Sequence, residues 1–116
     1  METLTLKQAT DALLDTLRRT EEFRRYTALK ESVMADEGSK ALLRRFTSVQ
    51  TTLQMAALAG AEAKEEDTTA FERLSALVYS NGELTDYLLA QMKVQQLAAS
   101  VMEQMTQTVG LDIPLP

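Results

Sequence analysis

The side chains of this sequence that could do acid–base or metal chemistry are carboxylates, because the chain has no His and no Cys. Four of them cluster in one short run, which contains Glu62, Glu65, Glu66 and Asp67. A calcium loop holds its oxygen ligands at a fixed spacing and has a glycine at its turn, and this run has neither feature. We interpret the run as a solvated acidic loop, and we expect no metal ligands and no cofactor.

The absence of His and Cys also excludes most catalytic and metal-binding classes. A Ser-His-Asp triad, a Cys nucleophile, a zinc finger and a di-iron site with Glu-x-x-His pairs each require one of these residues. The glycines are isolated, so the sequence has neither a dinucleotide-binding loop nor a Walker phosphate loop. We therefore predict that the protein is not an enzyme and has no catalytic residue.

Arginine side chains are the other candidates for a functional surface, because a planar guanidinium group binds both phosphates and carboxylates. Residues 1–60 hold nine Lys or Arg and eight acids, whereas residues 61–116 hold three Lys or Arg and nine acids. Three adjacent pairs in the first half form the predicted partner surface, which comprises Arg18, Arg19, Arg24, Arg25, Arg44 and Arg45.

The surroundings of these arginines favour a protein partner over direct binding of nucleic acid. Arg18 and Glu22 have the i,i+4 spacing of a helical ion pair, as do Glu21 and Arg25, and such pairs would neutralise part of the positive field. The nearby aromatic residues lie on apolar stripes, so they are not expected to stack on bases. Phosphate binding by the same arginines stays the alternative.

The elements that position these residues are predicted to be helices. The chain has 116 residues, a net charge of −5 and 45% hydrophobic residues, and helix-forming types dominate, which indicates one globular domain. Both prolines lie in the last three residues, and the four glycines are almost evenly spaced, as helix-ending residues would be. We predict an all-α fold with a single helical domain at 1–110 and an extended C-terminal tail at 111–116.

The apolar periodicity predicts five helices, at about 4–18, 21–35, 39–59, 67–79 and 83–109. The first two are separated because the step of six residues from Leu17 to Phe23 breaks the apolar stripe, with Thr20 as the cap of the second helix. A single bent helix is the alternative. The expected N-caps of the other three helices are Asp36 or Ser39, one residue of Asp67 to Thr69, and Ser80 or Asn81.

The third and fifth helices are long and carry coiled-coil-like seams, and the fourth connects them. A fifth helix about 40 Å long outreaches a compact bundle of this size, whose radius is about 13 Å. We therefore predict an elongated bundle completed by dimerisation, since two-fold dimers are the commonest assembly. The predicted oligomer interface comprises Leu42, Phe46, Val49, Leu53, Val94, Leu97, Val101 and Met105.

The sequence has no recognisable targeting feature. Its first residues lack the basic and apolar regions of a signal peptide, and no apolar run is long enough to span a bilayer. Together with the absence of Cys, these features favour a cytoplasmic protein that does not contact a membrane.

Six motifs occur along the chain in a recognisable order: Thr20–Tyr26, Leu29–Lys30, Asp36, Leu42–Phe46, Asn81–Tyr87 and Val109–Asp112. In this order and spacing they resemble the YlbF/YmcA/YheA family of small bacterial helical proteins, and the resemblance covers nearly the whole chain. The family's usual pattern has a proline after the acidic and the asparagine helix caps. In this sequence Glu37 and Gly82 replace those prolines.

The resemblance implies an all-α fold, oligomerisation and no enzyme activity. Relatives act as regulators in Gram-positive bacteria, where they form a complex that helps the membrane-anchored endoribonuclease RNase Y to process messenger RNAs. Some relatives carry cysteines near the C-terminus that take part in iron–sulfur binding. This chain has no Cys, so that property is not carried over, and the chain is nearer to the plain branch of the family.

The leading hypothesis is a non-enzymatic regulatory protein, a helical homodimer or tetramer that binds protein partners. Paralogous helical proteins or a ribonuclease of the RNase Y type are the partners that the resemblance suggests. The alternatives are an RNA-binding accessory factor that uses the arginine pairs and a chaperone-like structural module.

Overall fold

A computed structural model describes residues 3–110, and over this range the chain is all-α. Its five helices are α1 (Leu6–Arg19), α2 (Glu21–Ala35), α3 (Glu37–Leu58), α4 (Glu65–Tyr79) and α5 (Gly82–Val109). The predicted fold class and the number of helices are therefore confirmed. The tail predicted at 111–116 lies outside the described residues.

The first two helices are separate, as the break in the apolar stripe predicts. Thr20 lies between them with extended backbone angles, φ −63° and ψ 149°. Its Oγ1 donates a hydrogen bond to the Leu17 carbonyl at 2.7 Å and accepts one from the Phe23 N–H at 3.2 Å. One hydroxyl thus serves both helices, since it satisfies one backbone group at the end of α1 and one at the start of α2.

Side-chain caps also fix the starts of α3 and α5. The Asp36 carboxylate accepts hydrogen bonds from the Gly38 N–H and from the hydroxyl of Ser39, so Asp36 caps α3 and Ser39 supports it. The Asn81 amide oxygen accepts from the N–H groups of Glu83 and Leu84, at 3.1 and 3.2 Å. Asp36 and Asn81 were both among the expected caps.

The start of α4 differs from the prediction. The helix begins at Glu65, and its N-cap is Lys64, whose side chain makes no capping hydrogen bond. Asp67 and the two threonines after it therefore lie inside the helix. Three of the four clustered acids occupy the first turn, where the positive end of the helix dipole favours carboxylates, so the acidic run is mostly a helix start and only in part a loop.

The chain forms two compact units. Unit 2 comprises residues 29–88 and contains the end of α2, all of α3 and α4, and the start of α5. Its core is formed by six buried apolar side chains: Val33, Leu43, Phe46, Val78, Leu84 and Tyr87. In this unit α3 and α4 are the two helices whose backbones pack most closely against each other.

Unit 1 comprises the described residues up to Ala28 and from Leu89 onward, which include α1, the start of α2 and most of α5. Helix α1 contains no buried residue. Ala90 is the one apolar side chain of this unit that is buried within the described part of the chain. The described residues of unit 1 thus form no cluster of buried side chains like the core of unit 2. The single domain expected at 1–110 stays a prediction.

None of the helices within residues 3–110 combines the length and the apolar character that a membrane crossing requires.

Candidate functional site

Two surfaces of the protein are candidates for function, one in each unit. The first is an apolar hollow in unit 1. Leu14 and Leu17 of α1 and Val94 and Leu97 of α5 line it, and it is completed by Arg18, Phe23 and Ala98. Two residues of the predicted oligomer interface, Val94 and Leu97, therefore line the same hollow as leucines of α1 that were not part of the predicted interface.

Exposed apolar side chains also occur elsewhere in unit 1, most of them on the same two helices. Leu14 is 42% exposed and Leu13 is 37% exposed, and both lie on α1. The other exposed apolar residues of unit 1 are Leu4, Leu6, Leu89, Met92, Met102, Met105 and Val109. We call the hollow and these residues the apolar face of unit 1. Large exposed apolar patches of this kind mark sites of protein association.

The other half of the predicted interface lies in unit 2. Phe46 is only 4% exposed, and its ring stacks on Phe71 with 5.5 Å between ring centroids. Leu42, Val49 and Leu53 of the same helix are half-buried. Because Phe46 is already enclosed in the core of unit 2, its side chain has little surface to offer a second chain.

The arginines of the predicted partner surface are also divided between the two units. Arg18, Arg19, Arg24 and Arg25 belong to unit 1, and Arg44 and Arg45 belong to unit 2. All six side chains are exposed.

The ion pairs expected around the arginines of unit 1 are not formed. Among the described residues neither Arg18 and Glu22 nor Glu21 and Arg25 lie within ion-pair distance. The first pair is prevented because Thr20 ends α1 between its two members. Arg19 instead pairs with Asp15, at 2.9 Å within α1, and both side chains are largely exposed, so this bond contributes little to stability.

The second surface is a groove between α3 and α4 in unit 2. Arg44 and Arg45 of α3 and Arg73 of α4 line it. The other lining residues are Ser48, Val49, Ala70 and Leu74. We call these seven residues the basic groove. The three apolar members are half-buried and the three arginines are exposed, so an apolar floor lies between cationic walls.

Arg73 was not among the predicted site residues, because it is an isolated base in the acidic half of the chain. Its proximity to Arg44 and Arg45 depends on the packing of α4 against α3. The facing apolar stripes of Phe46 on α3 and Phe71 on α4 are the sequence signal that could have placed it there.

Two neighbouring hollows share lining residues with the basic groove. One, beside α3, shares Arg44 and Ser48 with it and also includes Lys40 and Tyr87. The other shares Arg73 and is lined by the acids Glu65 and Glu66, which begin α4. None of the three arginines of the groove forms an ion pair or a hydrogen bond within the described part of the chain.

Metal chemistry finds no support in the described residues. Within 3–110, no three acidic side chains come together in an arrangement that could hold a metal ion. The two surfaces are therefore suited to binding, through apolar contact in unit 1 and through contact with anionic groups in unit 2.

Comparison with known sequences gives one family. The model described as "Control of competence regulator ComK, YlbF/YmcA" matches residues 6–110. The UPF0342 protein YheA of Bacillus subtilis is 33% identical over 85 residues, which cover 73% of either chain. A UPF0342 protein of Lysinibacillus sphaericus is 33% identical over 91 residues, which cover 78% of this chain and 79% of its own.

Two solved structures have the same fold. A protein of unknown function (DUF964) from Bacillus stearothermophilus has a TM-score of 0.74 at 18% identity, over 90% of this chain and 92% of its own. A chain of the Bacillus subtilis complex of RicA with RicF has a TM-score of 0.63 at 15% identity, over 94% and 96%. At such identities the likeness establishes the fold.

Proposed function

The chain belongs to the YlbF/YmcA family, and on that premise we propose that it is a non-enzymatic regulatory protein that acts by binding other proteins. The description of the family refers to control of a competence regulator, and one structural neighbour was solved as a complex of two proteins. Both facts support a role in a regulatory assembly. The more specific proposal is a cytoplasmic complex that processes RNA with a ribonuclease of the RNase Y type.

The observation that carries this proposal is the apolar face of unit 1. Helix α1 has 14 residues and no buried side chain, although its leucines form a stripe. Isolated helices of this length are marginally stable in water, and in proteins most of their stability comes from packing of the apolar face. The leucine stripe of α1 therefore needs a covering surface, and a second protein chain can supply it.

We propose a second copy of this chain as the first such partner, in a homodimer or a tetramer. Each fully buried leucine contributes about 1.5–3 kcal/mol relative to an exposed one, so covering several of them offsets the entropy cost of association. The proposed interface consists of the α5 residues Val94, Leu97, Val101 and Met105 together with Leu13, Leu14 and Leu17 of α1. Leu42, Val49 and Leu53 of α3 remain a second proposed contact, without the enclosed Phe46.

Arg18 lines the hollow, whereas the other five arginines lie outside it and form the proposed surface for other partners. Paralogous helical proteins are the proposed class, because the RicA–RicF structure is a complex of two different chains and has the same fold. We propose that the anionic group bound by the arginines is a carboxylate of a protein rather than a phosphate of RNA.

The experiment that tests the proposal is sedimentation of the full chain at protomer concentrations from about 1 to 100 μM. Wild-type protein is expected to sediment as a dimer or tetramer. Leu14→Glu places a charge in the apolar hollow and is expected to give a monomer. Ala12→Glu adds the same charge to an exposed residue of α1 outside the hollow, so this control keeps the wild-type state. A wild-type monomer over the whole range would refute the self-assembly.

A further inference from the structure

The three arginines of the basic groove form no ion pair among the described residues that would stabilise the fold. Arg44, Arg45 and Arg73 come from two helices, are exposed, and have no counter-ion among the described residues. The chain as a whole has 17 acids and a net charge of −5, so acidic side chains are available in excess. Glu65 and Glu66 lie next to Arg73 and still form no ion pair with it. Three unpaired guanidinium groups thus surround one apolar floor.

The groove is also preformed. Its two walls are held together by the packing of α3 against α4 and by the stacked rings of Phe46 and Phe71. Val49, Ala70 and Leu74 form the floor and are half-buried, so the floor does not have to be opened before a ligand can bind. A ligand that enters a rigid groove loses less binding energy to reorganisation of the protein.

The chemistry of the groove specifies its ligand. A guanidinium group makes bidentate, charge-assisted hydrogen bonds with a carboxylate, and an apolar floor selects an aliphatic side chain of the same ligand. Single-stranded nucleic acid would instead need aromatic side chains for base stacking, and the groove is lined by none. The negative net charge of the chain also opposes a polyanion at long range more than it opposes a short peptide.

The length of the surface sets the size of the ligand. The hollow beside α3 continues the groove from Ser48 past Arg44 to Lys40, which adds a fourth cation. From residue 40 to residue 48, α3 advances about 12 Å, since each helical residue rises about 1.5 Å. A helical segment of two to three turns with acids beside an apolar stripe matches that distance.

We propose that the basic groove binds an acidic amphipathic segment of a partner protein. Carboxylates of the segment bind Arg44, Arg45 and Arg73, and an aliphatic side chain packs on Val49 and Leu74. The inference rests on the proposed function, in that it specifies the chemistry of the partner of the same regulatory protein. It does not depend on self-assembly through the apolar face, because the groove lies in unit 2 and the apolar face lies in unit 1. Val49 is the one groove residue that also belongs to the second contact proposed on α3.

The probe is a phage-displayed library of random 15-residue peptides, selected on the full chain in its native oligomeric state. The expected enriched peptides carry two or more acids beside an apolar residue. Synthetic copies of them should bind Arg45→Glu and Arg73→Glu about tenfold or more weakly than wild type, because each variant loses a charge-assisted hydrogen bond and gains a repulsion. Lys93→Glu makes a comparable change in charge on α5 and should leave the affinity unchanged.

A charge exchange makes the test specific. Peptides in which the acids are replaced by lysines should lose affinity for wild-type protein and regain it on the Arg45→Glu, Arg73→Glu double variant. No enrichment, enrichment of peptides without acids, or equal affinity for wild type and both single variants would overturn the proposal. The proposal would also be overturned if a fluorescent 20-nucleotide single-stranded RNA bound wild-type protein more tightly than the selected peptides do at the same salt concentration, and if Arg73→Glu abolished that RNA binding.

The oligomeric state of each groove variant separates this inference from the proposed function. Arg45→Glu and Arg73→Glu are expected to sediment as wild type does. Failure of peptide binding with an intact oligomer refutes the groove alone, whereas a wild-type monomer refutes the self-assembly alone.

Discussion

Phe46 of α3 and Phe71 of α4 stack nearly parallel, with 5.5 Å between ring centroids and 20° between ring planes. The pair joins two of the helices that contribute to the core of unit 2, and the same two helices form the walls of the basic groove. Phe46 is almost fully buried, whereas Phe71 is half-buried. The groove therefore depends on a contact whose removal can be measured as a loss of stability.

Phe46→Ala is expected to lower the free energy of unfolding by about 3–5 kcal/mol, because it leaves a cavity where a buried ring was. Phe46→Leu keeps most of the volume and should cost less. A double-mutant cycle with Phe71→Leu should give a coupling energy of about 0.5–1.5 kcal/mol, which is the range for aromatic pairs. Urea denaturation followed by circular dichroism, at one fixed protomer concentration, measures all three. Strict additivity of the two leucine variants would contradict a specific ring–ring contact.

Asn81 should contribute as an N-cap. Asn81→Ala removes the oxygen that accepts from the N–H groups of Glu83 and Leu84, and the loss is expected to be about 1 kcal/mol. Asn81→Asp keeps an acceptor of the same length and adds a charge that the helix dipole favours, so it should retain wild-type stability. Thermal melts of the two variants check this, and equal losses in both would mean that the cap is not the cause.

Alanine substitutions at two glycines, Gly60 and Gly82, test the effect of a positive φ on stability. Gly60 has φ +70° and ends α3 in a Schellman arrangement, with hydrogen bonds from its N–H to the Ala57 carbonyl and from the Ala61 N–H to the Ala56 carbonyl. Gly60→Ala should cost about 1 kcal/mol, because a Cβ disfavours the left-handed region.

Gly82 is the control for this strain. It begins α5 without a positive φ, and a Cβ there would meet no atom within 4 Å. Gly82→Ala should therefore be neutral or stabilising, since Ala has the higher helix propensity. If the two alanine variants unfolded at the same urea concentration, the strain at Gly60 would not be the determining factor.

The helices were predictable from the sequence because they are encoded locally. Thr20, Asp36 and Asn81 are small polar residues that precede apolar periods, and each caps the helix that follows it. The start of α4 was placed too late because its N-cap is Lys64, which makes no capping bond, and the first-turn acids replace that signal. Capping hydrogen bonds between neighbours in sequence explain the three correct helix starts, and the absence of such a bond explains the wrong one.

The surfaces were less predictable because they depend on packing between helices. Arg73 joins Arg44 and Arg45 only when α4 lies against α3. The apolar stripes that contain Phe46 and Phe71 indicate that each helix buries a face, but they do not specify that these two faces pack together. The leucines of α1 follow a clear apolar stripe, yet the structure leaves that helix without a buried residue. An apolar stripe indicates that a face will be covered, and it does not indicate whether the covering chain is the same molecule.

The next prediction compares two serines, of which one has a hydrogen-bonded hydroxyl and the other has not. The buried Oγ of Ser75, on α4, has no hydrogen-bond partner within residues 3–110, whereas Ser39 is buried and its Oγ donates to Asp36 at 2.9 Å. Ser75→Ala removes an unsatisfied group and favours the helix, so it should stabilise by up to about 1 kcal/mol. Ser39→Ala removes a made bond and should destabilise by about 1 kcal/mol. Changes of the same sign in both variants would contradict this assignment.

The scarcity of buried side chains among the described residues of unit 1 predicts that stability depends on concentration. If a second copy covers the apolar face, association stabilises the folded state by mass action, and the Tm of wild-type protein should rise with protomer concentration. Leu14→Glu should remove that dependence, and Ala12→Glu should keep it. In the Leu14→Glu monomer the amides of α1 should exchange hydrogen rapidly, because the helix has few buried contacts, while the amides of α3 and α4 stay protected. A concentration-independent Tm in wild-type protein, with α1 amides protected at micromolar concentration, would show that unit 1 is stable without a partner.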